Sequence, residues 1–264
     1  MLEEKLESLK EILRSLESVV IAYSGGVDST FLSKVAFDVL GDNALAATIS
    51  SEIHPRWESE EAGDIAREIG IKHETIASKA LDIPGLADNP ADRCYYCKEE
   101  VLTRLKGIAC ERGFKHVIEG SNFDDLDDHR PGMQAVAEQG VRSPLKEAKL
   151  TKSEIRALSK KLGLSTWNKP SLACLASRFP YGTKITREKL KAIDEAEIFL
   201  RSLGIRQLRV RHHDQIARIE VAEEDMEILL QNRKQIVKKM KELGYSYVTM
   251  DLQGYRTGSM NEVL

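Results

Sequence analysis

The sequence predicts an α/β fold: a parallel sheet with helices on both faces, followed by a smaller α+β domain. Three observations point there. Short apolar, β-branched runs alternate with amphipathic stretches over residues 1–166. A glycine-rich turn, SGGVDST (24–30), joins the first apolar run to a helical pattern. Past residue 166 the alternation stops, so two domains are expected, 1–166 and 167–264.

The elements follow in order. Leu2, Leu6, Leu9, Ile12, Leu13 and Leu16 mark an amphipathic opening helix. VVIAYS (19–24) is a buried strand that ends in the glycine turn, and TFLSKVAFDVLG (30–41) is a helix closed by Gly41. ALAATIS (44–50) is a second buried strand. SEEAGDIAREIG (59–70) is a helix ending at Gly70, followed by HETIAS (73–78) as a strand. Residues 81–93, with Pro84 and Pro90, read as loop. YYCKEEVLTRLKGIACERG (95–113) is a helix and KHVIEG (115–120) a strand. Thr151 or Ser153, followed by Glu154, carries a capping signature for a helix over 151–163. In the second domain SLACLASRFPYGTKIT (171–186) has no period and reads as a long functional loop. A helix (186–203), a strand pair (206–212 and 216–222), a helix (223–243) and a strand (246–252) follow. The polar tail GYRTGSMNEVL (254–264) reads as a loop or frayed end.

Bulk composition bounds the function. The chain has 264 residues, 42% hydrophobic and 31% charged, a globular balance. Its 39 basic and 42 acidic residues give a net charge of −3, which offers no support for bulk nucleic-acid binding. No apolar run is long enough to span a membrane. The acidic, amphipathic start lacks the features of a secretory signal, so a cytoplasmic location with reduced thiols is expected. A structural disulfide among Cys94, Cys97, Cys110 and Cys174 is then the poorer reading.

The glycine turn carries the first chemistry. Gly25 and Gly26 let backbone approach an anion and adopt φ > 0. The helix start favours phosphate, Ser24, Ser29 and Thr30 add hydroxyls, and Asp28 can cap the helix or place magnesium. No lysine precedes Ser29, so this is not the GxxxxGK[ST] loop. The string resembles the pyrophosphate loop (PP-loop) of the N-type ATP pyrophosphatases, a superfamily that includes GMP, NAD and argininosuccinate synthetases and tRNA-thiolating enzymes. That resemblance implies an adenine-nucleotide alpha-hydrolase-like fold using ATP and Mg2+, with cleavage to AMP and pyrophosphate. It places the adenine near TIS (48–50), hence Ser50, and the adenosine near Gly120. EGSNFDDLDDHRPG (119–132) also resembles these enzymes, with Asn122, Asp125, Asp128 and Arg130 as polar candidates. Without the glycine loop, its aspartates at 124, 125, 127 and 128 would read as a solvated acidic loop.

The thiols carry the second. Arg178, four residues after Cys174, and Lys169, five before it, favour a thiolate. The segment PSLACLASRFPYGTKIT, with DRCYYCK and LRVRHHDQIARIEV, resembles the LarE family of ATP-dependent sulfur transferases in nickel-pincer cofactor biosynthesis; the resemblance spans essentially the whole chain. It implies adenylation of a carboxylate of pyridinium-3,5-dicarboxylate mononucleotide and sulfur insertion to give a thiocarboxylate. In that family a cysteine at the position of Cys174 either surrenders its own sulfur or joins two others to hold a [4Fe-4S] cluster; here the others are Cys94 and Cys97. Three thiolates leave one iron open for an extra sulfide. Zinc remains an alternative, with a fourth ligand from His116, His129, His212 or His213. So do three unmetallated thiols, with Cys94 and Cys97 resolving. Cys110 falls off this face by helical period and reads as core.

The implied substrate carries two carboxylates and a phosphate and needs cations. Lys98 adjoins the CxxC pair and Arg178 adjoins Cys174. Alternation in LRVRHH and ARIEV puts Leu208, Val210, Ala217, Ile219 and Val221 on one face, with Arg209, Arg211, Arg218 and Glu220 on the other. That charged face could be merely solvated; the resemblance raises Arg209, Arg211 and Glu220 as substrate contacts, and Glu197 with them. Trp167 and Tyr181 flank the cysteine loop as lining or core. The resemblance implies a homo-oligomer, reported as hexameric in the family. A tRNA-thiolating enzyme and an ammonia-using amidotransferase-type synthetase are the alternatives, and a nucleotide-binding regulator is the non-catalytic one.

Overall fold

The computed structural model describes residues 2–126, 131–170, 173–256 and 259. The chain forms two compact units. The first comprises 1–83 and 92–172, the second 84–91 and 173–264.

The first unit is built on a four-stranded parallel sheet. Its elements run α1 (Leu2–Leu16), β1 (Val19–Ala22), α2 (Val27–Leu40), β2 (Ala44–Ser50), α3 (Arg56–Ile69), β3 (Lys72–Ala77), α4 (Arg93–Arg112), β4 (His116–Ile118), α5 (Pro131–Glu138), α6 (Pro144–Glu147) and α7 (Lys152–Lys161). The strand order is β3-β2-β1-β4, all neighbours parallel, with Val20 opposite both Leu45 and Val117. Each strand feeds both faces, because side chains alternate. Val19, Ile21, Ala44 and Ala46 pack with α1, α2, α3 and α7. Val20, Leu45, Ala47 and Ile49 pack with Leu102, Leu105 and Val136 of α4 and α5. The expected doubly covered parallel sheet is therefore present. β3 is an edge strand and only half-buried.

Local chemistry sets the boundaries. Gly41 and Gly70 end α2 and α3 with positive φ. Thr151 and Glu154 form a reciprocal capping box at α7, and Lys5 of α1 adds an ion pair to Glu154 at 2.8 Å. No helix among the described residues is long and apolar enough to cross a membrane.

The second unit continues with α8 (Arg187–Ser202), β5 (Leu208–His213), β6 (Ile216–Val221), α9 (Met226–Gln231), α10 (Arg233–Glu242) and β7 (Tyr247–Met250). β5 and β6 form a hairpin that sets Arg209 opposite Glu220 and Arg211 opposite Arg218, and β7 runs parallel to β6. Leu208, Val210, Ala217, Ile219 and Val221 pack against Leu200, Ile236 and Met240. The helix expected over 223–243 is broken. Asn232 turns its side chain back onto the Ile228 carbonyl at 2.8 Å, competing with the helical ladder, and a new helix starts after it. The segment Pro84–Ala91 belongs here: Asn89, fully buried, donates to the Pro180 carbonyl at 2.8 Å, and Ile185 N–H donates to the Ala87 carbonyl at 2.8 Å.

Candidate active site

In the first unit, the glycine turn lies between β1 and α2. Gly25 has φ +67°, and a Cβ there would sit 2.9 Å from Ala62 Cβ, so glycine both turns the chain and admits α3. Gly26 has φ −80°, so only one of the two glycines uses the left-handed region expected for both. Ser24 Oγ and Ser29 Oγ lie 3.1 Å apart. Thr30 is fully buried, so its hydroxyl points into the protein rather than onto the loop surface. Asp28 does not cap α2; its carboxylate pairs with Lys152 at the start of α7. Burial pushes the Asp28 carboxyl up, against the pull of Lys152.

The neighbouring strand ends bring more of the expected residues to this end of the sheet. A Cβ on Gly120, two residues past β4, would lie 3.2 Å from Ser29 N, so backbone meets backbone there. Ser50 ends β2 and accepts from Ser59 at 3.1 Å. Buried Asn122 accepts from Asp124 N–H at 2.9 Å, and Asp125 accepts from Asn122 N–H at 2.9 Å, so the 122–125 turn is self-organised. Arg130 and Asp128, also expected there, lie outside the described residues, as does His129. Strand ends, a positive-φ glycine and a helix start together suit a nucleotide's phosphates.

Sequence reasoning missed where the Lys169 side chain goes. Lys169, expected to influence Cys174, instead places its ammonium 3.0 Å from the Gly25 carbonyl and 2.9 Å from Glu61. The hint was a phosphate loop without its own lysine.

The CxxC pair opens α4. Cys94 is exposed and Cys97 half-buried, one turn apart in the first turns of the helix, where the dipole favours thiolates. Lys98, next to Cys97, pairs at 3.2 Å with Glu119, which is buried at the end of β4. Glu119 also accepts from Ser121 Oγ at 2.9 Å and from Ser143 Oγ. Burial works to raise its carboxyl, but Lys98 and the two serines outweigh it and hold the group below the usual carboxylate range. Lys98 is thus held by a carboxylate that no sequence pattern singles out. Cys110 is exposed, so the expectation that it is core fails; it faces out from the last turns of α4.

All four cysteines are described, and none is in a disulfide. Two thiolates one helical turn apart match two ligands of an iron–sulfur cluster. Among the described residues, no three His, Cys, Asp or Glu side chains gather into a metal-binding group, so the donor fit extends to this pair alone.

In the second unit, Cys174 precedes a short turn, Leu175–Arg178. Arg178, expected to grip substrate, is 2% exposed and committed inward. It makes two 2.9 Å bonds to Glu197 and donates to the carbonyls of Ala173 (2.6 Å) and Cys174 (3.1 Å). It fixes the backbone that carries the thiol. Glu197 also accepts from Val210 N–H at 3.0 Å. Burial opposes ionisation of Glu197, yet Arg178 and Arg209 hold its carboxyl low.

The charged face of the hairpin is not solvated: Arg209, Arg211 and Glu220 are all buried. Arg211 and Arg218 oppose each other across the strands, and Glu220 reconciles them, at 2.7 and 3.1 Å. Arg211 also donates to the Ser177 carbonyl at 3.0 Å and to Ser259 at 2.9 Å. Arg209 stacks 5.1 Å from the Tyr255 ring centre, and burial lowers its pKa. Tyr255 and Ser259 therefore belong to this cluster, and the tail is not simply frayed there. Trp167 lies under Lys160, 4.7 Å from its ammonium, and is partly exposed. Tyr181 is half-buried.

Residues 1–84 match the NAD synthase family. The chain is 39% identical over 264 residues to the pyridinium-3,5-bisthiocarboxylic acid mononucleotide synthase of Lactiplantibacillus plantarum, covering 100% of this chain and 96% of that protein. It is 47% identical to an uncharacterized protein of a Synechocystis species, covering 100% and 99%. It is 25% identical to one subunit of the glutamine-hydrolyzing GMP synthase of Methanococcus vannielii, covering 75% and 67%.

Proposed function

The chain belongs to the LarE-type branch of the PP-loop ATP pyrophosphatases and is an ATP-dependent enzyme, and from that premise we propose that it inserts sulfur into a carboxylate of pyridinium-3,5-dicarboxylate mononucleotide. The observation that carries this reading is the full-length identity with the Lactiplantibacillus plantarum synthase, joined to a glycine loop, a CxxC turn and a cysteine segment within one chain.

The chemistry follows from general principles. A carboxylate oxygen attacks the α-phosphorus of Mg-bound ATP, the bond to the bridging oxygen breaks, and pyrophosphate leaves with that electron pair. The acyl-adenylate turns a poor leaving oxygen into AMP, which sulfur then displaces. Ser24, Ser29 and the start of α2 hold the departing pyrophosphate. Gly120, Ser50 and the Asn122–Asp125 turn border the nucleoside, and Asp28, still paired with Lys152, lies at the loop to help place magnesium. Arg209 and Arg211, desolvated and supported by Glu220, suit the substrate's anionic groups. Arg178 and Glu197 position the Cys174 backbone. Cys94 and Cys97, with Cys174 as the third thiolate, would hold a [4Fe-4S] cluster, which would supply the transferable sulfide. We place the enzyme in the cytoplasm as a homo-oligomer.

Anaerobic purification with iron and sulfide counting, followed by assay with the pyridinium substrate, ATP and Mg2+, tests this. Near four irons per chain, lost in both Cys94→Ser and Cys174→Ser, and a product gaining one sulfur for oxygen are expected. Pyrophosphate release with sulfur taken from Cys174 itself, in iron-free protein, would replace the cluster by the sacrificial cysteine. Absence of pyrophosphate release altogether overturns the reading.

A further inference from the structure

We propose that Lys169 is the phosphate-binding cation of the glycine loop, contacting the β- and γ-phosphates of ATP and then the departing pyrophosphate. This deepens the ATP-cleaving reading above and rests on it. The loop itself contributes hydroxyls, amides and one acid, Asp28, but no positive side chain. Amides, hydroxyls and one Mg2+ leave part of a triphosphate's charge unanswered. Among the described residues, two lysines reach this loop from later in the chain. Lys152 is engaged with Asp28 and so balances the loop's own acid. Lys169 comes from 144 residues downstream and sits on the loop backbone, 3.0 Å from the Gly25 carbonyl.

Its setting separates it from an ordinary surface lysine. The side chain is 10% exposed, whereas its partner Glu61 is 42% exposed. An ammonium so withdrawn from water is costly unless its donors are satisfied. It has three, of which one meets the Gly25 carbonyl, while Glu61 balances its charge at 2.9 Å. A remaining donor can meet a phosphate oxygen without breaking these contacts. Gly25 is also the loop residue in the left-handed region, so the ammonium is anchored at the point where the backbone turns. In the GxxxxGK[ST] loop a lysine within the loop reaches the same phosphates; here a distant segment supplies it. As the α–β bond breaks, negative charge grows on pyrophosphate, and the Lys169 ammonium stabilises it.

Equilibrium titration of the full-length protein with α,β-methylene-ATP, pyrophosphate and AMP, each with Mg2+, tests this without turnover. In Lys169→Met, which keeps the aliphatic stem, affinity for the analogue and for pyrophosphate is expected to fall about tenfold or more, while AMP stays within about twofold. Lys169→Arg should recover most of the loss. Equal weakening of AMP and the analogue would show that the lysine merely props the loop, and no weakening of either would also overturn the proposal. Should Lys169→Met not fold, Glu61→Gln gives the deciding comparison. It leaves the ammonium in place and should bind the analogue at least as tightly as the parent protein; tenfold weaker binding overturns the proposal. Parent protein that binds neither analogue nor AMP overturns the ATP-cleaving reading and this one together. Parent protein that binds both, with Lys169→Met unchanged, overturns this one alone.

Discussion

Arg178 and Glu197 form a bidentate pair with both side chains 2% exposed. Two ions this far from water are stable only together, because removing one strands the other. Arg178→Ala should therefore cost about 3–5 kcal/mol, read as a lower urea midpoint at unchanged slope. It also releases the Ala173 and Cys174 carbonyls, so alkylation of Cys174 by iodoacetamide should speed up in the folded protein. Arg178→Lys, with no planar fork, should recover only part of either effect. At this scale the sequence announced its chemistry through spacing: Cys94 with Cys97, and the basic residues around Cys174. It was silent on the partners that Glu119, Lys152 and Lys169 find 21, 124 and 144 residues away. No local pattern encodes such a pairing. Cys110 was misplaced for a related reason: period tells which residues share a helix face, not which face is covered.

The loops and caps make their own predictions at the level of the element. Gly25→Ala meets two obstacles, a left-handed backbone and Ala62 Cβ at 2.9 Å. It should destabilise by about 1–3 kcal/mol and lower nucleotide affinity, measured by thermal melts with and without ATP. Gly26→Ala, at φ −80°, meets only Ser24 Oγ at 3.3 Å and should be far milder. Thr151→Ala removes half of the α7 capping box and should cost about 1 kcal/mol by the same melts. Glycine stops and this box were readable because they act within four residues. The break at Asn232 was not, since the apolar period runs on through it and a single side-chain bond to Ile228 ends the helix.

The whole molecule has a common response to acid. His54, His73, His212 and His213 are all held below the ordinary histidine range, mainly by burial. The folded state keeps these rings neutral while the unfolded chain takes up protons from about pH 6.5 downward. Below that point the unfolded state binds more protons, so stability falls as pH falls. Glu119 and Glu197, depressed in the fold, extend the loss through the carboxylate range below. The melting temperature should thus drop from pH 7 to pH 5 and again toward pH 4; a flat profile would show that these rings are not buried neutral. At this scale the doubly covered sheet was legible from alternation, whereas the strand order was not, because periodicity does not say which strands are neighbours. Nor was the allegiance of Pro84–Ala91, which depends on contacts with residues 179–185 about ninety positions away. That allegiance has a consequence for how such a protein can be rebuilt. The polypeptide is laced, not strung: a short early stretch is stitched into the later body before the chain returns to finish the earlier one. A cut at residue 166 would orphan Asn89 in a dry place, so neither part can be transplanted as a cassette, and any swap between homologues must carry both stitches.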